Sequence, residues 1–169
     1  MMFVSKEELY FSWWLDDMKK AGFVEEYFYE PTTFLLCDKV VKKYEEIVEL
    51  KTKTKVIPKS ITLMQDLKYT PDFKVVFKQI PEFFKRNFFI QDNIWWVDCK
   101  GSFIGRNNNS AITFPLNQKF MYVVHGILVE KIIPQKLFKS TFTPERYIRT
   151  DGDTRLRKIN WKVKKIENN

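Results

Sequence analysis

Tyr69-Thr70-Pro71-Asp72-Phe73 and Ile94-Trp95-Trp96-Val97-Asp98-Cys99-Lys100-Gly101 bound the stretch on which the reading of this chain turns. Each segment sets an aspartate at the edge of an apolar, strand-like run. Residues i and i+2 of a strand share a face, so Asp98 and Lys100 point to one side of a sheet and Cys99 to the other. Acid-x-Lys triplets are cheap in this chain: Asp17-Met18-Lys19, Glu49-Leu50-Lys51, Asp66-Leu67-Lys68 and Asp72-Phe73-Lys74 repeat the pattern. The setting separates Asp98-Cys99-Lys100 from the rest. It closes the run Ile94-Trp95-Trp96-Val97, where a buried charge is costly unless paired or metal-bound. Two carboxylates and an ammonium in one place suit a divalent cation and an activated water. The plain alternative is an Asp–Lys pair at a strand end.

Outward from this stretch, Ser5 reads as an N-cap with Glu8 completing a capping box. Leu9, Trp13, Trp14, Leu15 and Met18 form a helical stripe up to Gly22, a C-terminal stop. Glu8 has a sharper reading as a third acid aimed at the site. Phe23–Leu36, broken by Pro31, reads as one or two strands at a sheet edge. Asp38–Glu49 fits either a helix or a charged hairpin. Glu49–Ile57 alternates like an exposed strand, and Pro58-Lys59-Ser60 is expected to break it. Ile61–Met64 and Asp72–Phe77 read as two strands, paired as a hairpin or continuous through a bend at Tyr69-Thr70-Pro71.

Pro81–Phe89 suits a short helix, and Ile94–Cys99 a central buried strand. Pro115 fits the first turn of a helix that reaches His125 and ends at Gly126. Ile127–Ile133 is a strand stopped by Pro134, and Thr143–Tyr147 opens another short helix. The fold class expected is α/β, a central mixed β-sheet flanked by helices.

At 169 residues the chain can form a real core, and with 44% hydrophobic and 17% aromatic residues it is not disordered. The net charge of +8 and pI near 9.4 fit a partner that is a polyanion, nucleic acid before an anionic membrane. Cys37, Cys99 and His125 are the only cysteines and histidine, too few for a four-ligand zinc site. Two cysteines do not make a disulfide framework. No signal-peptide core opens the chain and no apolar run reaches the roughly 18 residues of a membrane span. A soluble, reduced, cytoplasmic protein without a membrane partner is expected.

Pro71-Asp72 followed by Asp98-Cys99-Lys100-Gly101 resembles the PD-(D/E)XK nuclease superfamily. Tyr-x-Pro-Asp-Phe with a strand ending Val-Asp-x-Lys-Gly is similar to small phage-borne nucleases of that group. Holliday-junction resolvases and the TnsA transposase subunit are more distant relatives on this reading. Gln118-Lys119-Phe120-Met121-Tyr122 fits the Gln-x-x-x-Tyr of RecB-like members. The resemblance spans Ser5 to Ile133 and implies a restriction-endonuclease-like core in the order α-β-β-β-α-β. Residues 1–148 would form the nuclease-like domain with an insertion around 38–58, and 149–169 a basic C-terminal tail.

The resemblance further implies a metal-dependent endodeoxyribonuclease. Asp72, Asp98 and the backbone carbonyl of Cys99 would hold Mg²⁺, with Mn²⁺ able to substitute. Lys100 would orient or help deprotonate the attacking water, and Glu8 would hold a metal-bound water or a second metal. Gln118 and Lys119 would reach the scissile phosphate, with Tyr122 in support. Arg106, Lys119, Arg146, Arg149, Arg155, Arg157 and Lys158 are candidate DNA phosphate contacts, each with a solvated basic face as its plain alternative. A homodimer is needed if the substrate is a four-way junction, and a phage-encoded protein would work in the host cytoplasm. Trp13-Trp14 and Trp95-Trp96 could stack on bases, but such residues are more often core. Two other functions compete: a nucleic-acid-binding module whose acids only pair with lysines, and a phage structural or interaction protein.

Overall fold

Ser5 caps helix α1 (Lys6–Lys20), and both halves of the capping box form. Glu7 and Glu8 occupy the first turn and Lys19 and Lys20 the last, each sign matched to the helix dipole. Phe11, Trp14, Leu15 and Met18 follow helical spacing and are fully buried. Gly22 ends the element with φ at +81°, a conformation that only glycine adopts without strain.

The computed structural model describes residues 3–101 and 109–151. The chain divides into two compact units, one of Met1–Thr32 with Thr70–Asn169 and one of Thr33–Tyr69. In the first unit α1 is followed by β1 (Val24–Tyr29), β6 (Phe73–Phe77), α2 (Glu82–Asn87), β7 (Ile94–Cys99), α3 (Asn109–His125), β8 (Val129–Ile132), α4 (Pro134–Ser140) and α5 (Glu145–Asp151). Between β1 and β6 the chain forms β2 (Phe34–Cys37), β3 (Val40–Leu50), β4 (Lys53–Met64) and β5 (Leu67–Tyr69), the strands of the second unit.

The first unit is α/β, a mixed four-stranded sheet in the order β1-β6-β7-β8. β1, β6 and β7 pair antiparallel, and β8 joins β7 in parallel. That parallel pair requires the crossover that α3 supplies. Trp95, Val97 and Cys99 alternate onto one face of β7 and join Phe73, Val75, Phe77 and the α1 stripe in one core. Trp14, Trp95, Phe11, Phe23, Phe73, Phe77 and Phe84 are its largest fully buried side chains. Aromatic residues of this size each remove about 150–250 Å² from water, which makes the ring cluster the main store of stability. Asp98 falls on the opposite face of β7 from this core, as the alternation requires.

Two details depart from expectation in the first unit, both at prolines. α3 starts at Asn109, so Pro115 lies inside the helix rather than in its first turn. Pro115 is exposed, and water can take the carbonyl that its missing N–H leaves unbonded. Pro134 does end the strand, but it also occupies the first turn of α4, a helix the sequence pattern did not announce. Phe23–Leu36 supplies one strand, β1, to an edge of the four-stranded sheet, and its second strand, β2, pairs with β5 instead.

In the second unit Asp38–Glu49 resolves as strand, not helix: β3 pairs with β4 over their full length. Pro58 does not break β4 but sits opposite Glu45. In a two-stranded ribbon alternate N–H groups face solvent, and proline is tolerated there. Ile61–Met64 pairs with β3 rather than with Asp72–Phe77, because the ribbon continues through Met64. No helix among the described residues is long and apolar enough to cross a membrane.

Candidate functional site

The antiparallel register of β6 and β7 brings the two aspartates together. Phe73 stands opposite Val97, and continuing the pairing by one residue sets Asp72 opposite Asp98. The carboxyl of Asp72 hydrogen-bonds that of Asp98, and its Oδ2 accepts the Cys99 N–H at 2.6 Å. Asp98 is 3% exposed and its Oδ1 ion-pairs with Lys100 Nζ. Asp72, Asp98 and Lys100 therefore converge at the end of β7.

Electrostatics follow from this geometry. Burial first, then the charge of Asp98 and the hydrogen bond to it, push the Asp72 carboxyl up to about 8, against the pull of Lys100 and the Cys99 N–H. At neutral pH the pair therefore holds a proton. Burial alone would lower Lys100, but Asp98 and then Asp72 more than offset it, and the ammonium is held above its ordinary range. A lysine so held donates; it does not take a proton. The Cys99 thiol is pushed well up, by burial first and then by the negative charges of Asp72, Asp98 and Glu8. That side chain is an inert core group rather than a nucleophile.

The two carboxylates suit a hard divalent cation such as Mg²⁺, which keeps waters in its shell and takes only one or two carboxylates. Among the described residues no set of three or more His, Cys, Asp and Glu side chains is gathered for a metal. Glu8 explains part of this. Its Oε2 accepts from Val4 N–H at 3.0 Å, Ser5 N–H at 3.3 Å and the Tyr29 hydroxyl at 2.6 Å. Its Oε1 accepts from the Ser5 hydroxyl at 2.8 Å. Both oxygens are thus engaged at the start of α1. Burial and the bond to Glu8 raise the Tyr29 phenol.

Removing the cap has a graded cost. Ser5→Ala is expected to lower stability by about 1 kcal/mol. Glu8→Ala should cost more, because it also strands the half-buried Tyr29 hydroxyl. Thermal melting of both variants checks the order.

Glu7 was not singled out by the sequence pattern, yet it lies beside the site. A Cβ added at Gly101 would stand 3.1 Å from Glu7 Oε1. The one signal was the missing side chain directly after Lys100. Glu130 was missed as well, but it lies away from the site: it pairs with Val97 on the core face of β7, where its Oε2 accepts the Trp95 indole N–H at 2.5 Å and the Phe89 N–H at 3.1 Å. An acid inside the apolar run Ile127–Ile133 was its signal.

The remaining candidates are more dispersed. Gln118 Nε2 donates to the Val129 carbonyl at 2.7 Å, tying α3 to β8. Lys119 and Tyr122 are exposed on α3. Arg146 bonds Asp16 at 3.3 Å, between α5 and α1. Arg149 lies on α5, but its side chain is outside the described residues, as are Arg106, Arg155, Arg157 and Lys158 altogether. Trp14 and Trp95 are core, and Trp13 packs against it. Trp96 receives the Lys74 ammonium 5.6 Å from its ring centre. His125 is the last residue of α3, where the helix dipole favours a basic group.

No family model, curated protein or solved structure matches the chain.

Proposed function

We propose that the protein is a metal-dependent endodeoxyribonuclease of the PD-(D/E)XK type, with a restriction-endonuclease-like core. The observation that carries this reading is the convergence of Asp72, Asp98 and Lys100 at the end of β7. It is supported by the element order α1-β1-β6-α2-β7-α3-β8 of the four-stranded unit, the short helix α2 standing between its second and third strands, and by the net charge of +8.

Asp72 and Asp98 would hold Mg²⁺ or Mn²⁺ together with the Cys99 carbonyl. The ion would supply charge neutralisation and an acidified water. Lys100, kept as an ammonium by its two acids, would orient the attacking water and stabilise charge that develops on the phosphoryl oxygens. The proton on the Asp72–Asp98 pair must leave before a cation enters, so metal affinity would rise with pH up to about 8. Gln118 would act by positioning α3, since its amide holds β8. DNA is the proposed substrate, and a homodimer the proposed assembly if that substrate is a junction.

A second reading, a nucleic-acid-binding module without catalysis, is favoured by the Lys100–Asp98 pair, which satisfies both charges without any ion. Incubation with plasmid, branched and single-stranded DNA in Mn²⁺ separates the two. The wild-type protein should cut at least one substrate, and Lys100→Ala should cut about 10²–10³-fold more slowly. Equal rates would remove Lys100 from the mechanism, and no cutting by the wild type would leave the binding module.

A further inference from the structure

The β3–β4 ribbon of the second unit has two unlike faces. Cross-strand partners in an antiparallel pair share a face. One face carries Lys42, Lys53, Lys55 and Lys59 with Tyr44, against a single acid, Glu46. The other carries Lys43 against Glu45 and Glu49. Glu46 ion-pairs with Lys59, while no salt bridge among the described residues engages Lys42, Lys53 or Lys55. These three are exposed. Lys42 lies opposite Ile61 near one end of the ribbon, and Lys55 and Lys53 lie opposite Val48 and Leu50 near the other, so the cations reach along most of its length.

We infer that this face of the ribbon is a contact surface for the phosphate backbone of duplex DNA. Charge complementarity argues for that occupant. Eleven paired residues extend about 36 Å, close to one duplex turn of roughly 34–36 Å. A two-stranded ribbon also fits the width of a DNA major groove. Cations set at intervals along such a length match a linear polyanion better than a compact anion. The apolar side chains between them, Tyr44 at 43% and Ile61 at 52% exposed, can lie against sugars as the lysine stems do. A two-stranded hairpin is marginal alone in water, and most side chains of β3 and β4 are exposed. The inference rests on the proposed function for the identity of the polyanion, but not for the cleavage chemistry.

The test is fluorescence anisotropy of the full chain with a labelled duplex, without divalent ions, over a range of salt. Replacing Lys42, Lys53 and Lys55 with glutamine should make the slope of log K against log salt shallower by roughly 2.7, at about 0.9 per phosphate contact. Each single substitution should account for about one third of that change. A control that removes equal charge from the other unit, Lys19→Gln with Lys78→Gln and Lys136→Gln, should leave the slope unchanged. A full slope in the ribbon variant, or an equal loss in the control, overturns the assignment while leaving the nuclease reading intact. Wild-type protein that binds duplex with the expected ribbon dependence but never cuts it in Mn²⁺ supports the ribbon and ends the nuclease reading. Absence of duplex binding by the wild type at low salt overturns the ribbon assignment.

Discussion

Asp98→Ala is expected to abolish both DNA cleavage and any stabilisation by Mn²⁺. In the wild type, Mn²⁺ at about 100 times its Kd should add about 2.7 kcal/mol. For a chain of this length that is a rise in Tm of roughly 5–10 °C. Asp98 contributes a carboxylate, holds Lys100 and partners Asp72, so its loss removes half of the acid pair and the anchor of the ammonium at once. Thermal melts with and without Mn²⁺ read the effect, and a variant that still gains several degrees would refute the assigned metal pair.

The same variant tests the proton held by the pair. Because the folded Asp72 carboxyl is raised to about 8, the folded state binds a proton that the unfolded state loses near pH 4. That contribution to stability is fully present below about pH 4 and is lost as pH rises through about 8. Metal-free wild-type protein should therefore weaken across this window. Asp98→Ala removes the charge and hydrogen bond that help to raise Asp72, leaving burial opposed by Lys100, so its decline should be shallower. Denaturant melts in EDTA at a series of pH values measure both slopes.

Trp95→Ala should be the most damaging single change to the fold, at about 3–5 kcal/mol. Trp95 is fully buried and its ring meets Phe11, Phe84 and Phe88 at centroid distances of 5.9, 5.5 and 5.0 Å. Truncation opens a cavity between α1, α2 and β7 and also strips Glu130 of its indole donor. Burial already raises the Glu130 carboxyl, while the indole and the Phe89 N–H hold it down. Trp95→Phe separates the two effects. It keeps most of the volume and loses the hydrogen bond, for about 1–3 kcal/mol. If that cost comes from Glu130, Glu130→Gln in the Trp95→Phe background should recover part of it. A Tm for Trp95→Ala within a few degrees of wild type would show that the ring cluster is not the main store of stability.

Local chemistry made much of this molecule readable from its residues. α1 announces itself through Ser5, Glu8 and the apolar residues from Leu9 to Met18, because a cap and a helical period are written in neighbouring residues, although the buried stripe includes Phe11 and leaves Leu9 and Trp13 only partly covered. Strand β7 is legible for a similar reason: a short run with little polarity has to be buried on both sides. The aspartates were visible as candidates, but their meeting depends on the register of β6 against β7, and a slip of one residue would have sent them to opposite faces. The ribbon was ambiguous because both of its faces meet solvent, so no burial pattern separates helix from strand over Asp38–Glu49, and Pro58 could not be weighed without knowing that its strand lies at an edge. Glu8 could be read as a cap or as a third acid, and only the packing of Tyr29 and Val4 around it commits its oxygens to the cap. Residue types and local periods thus determined the elements and the charge of the protein. Pairings between residues far apart in the chain decided which acids share a proton, which are spent on structure, and which lysines line up on one face, because such contacts leave no period in the sequence.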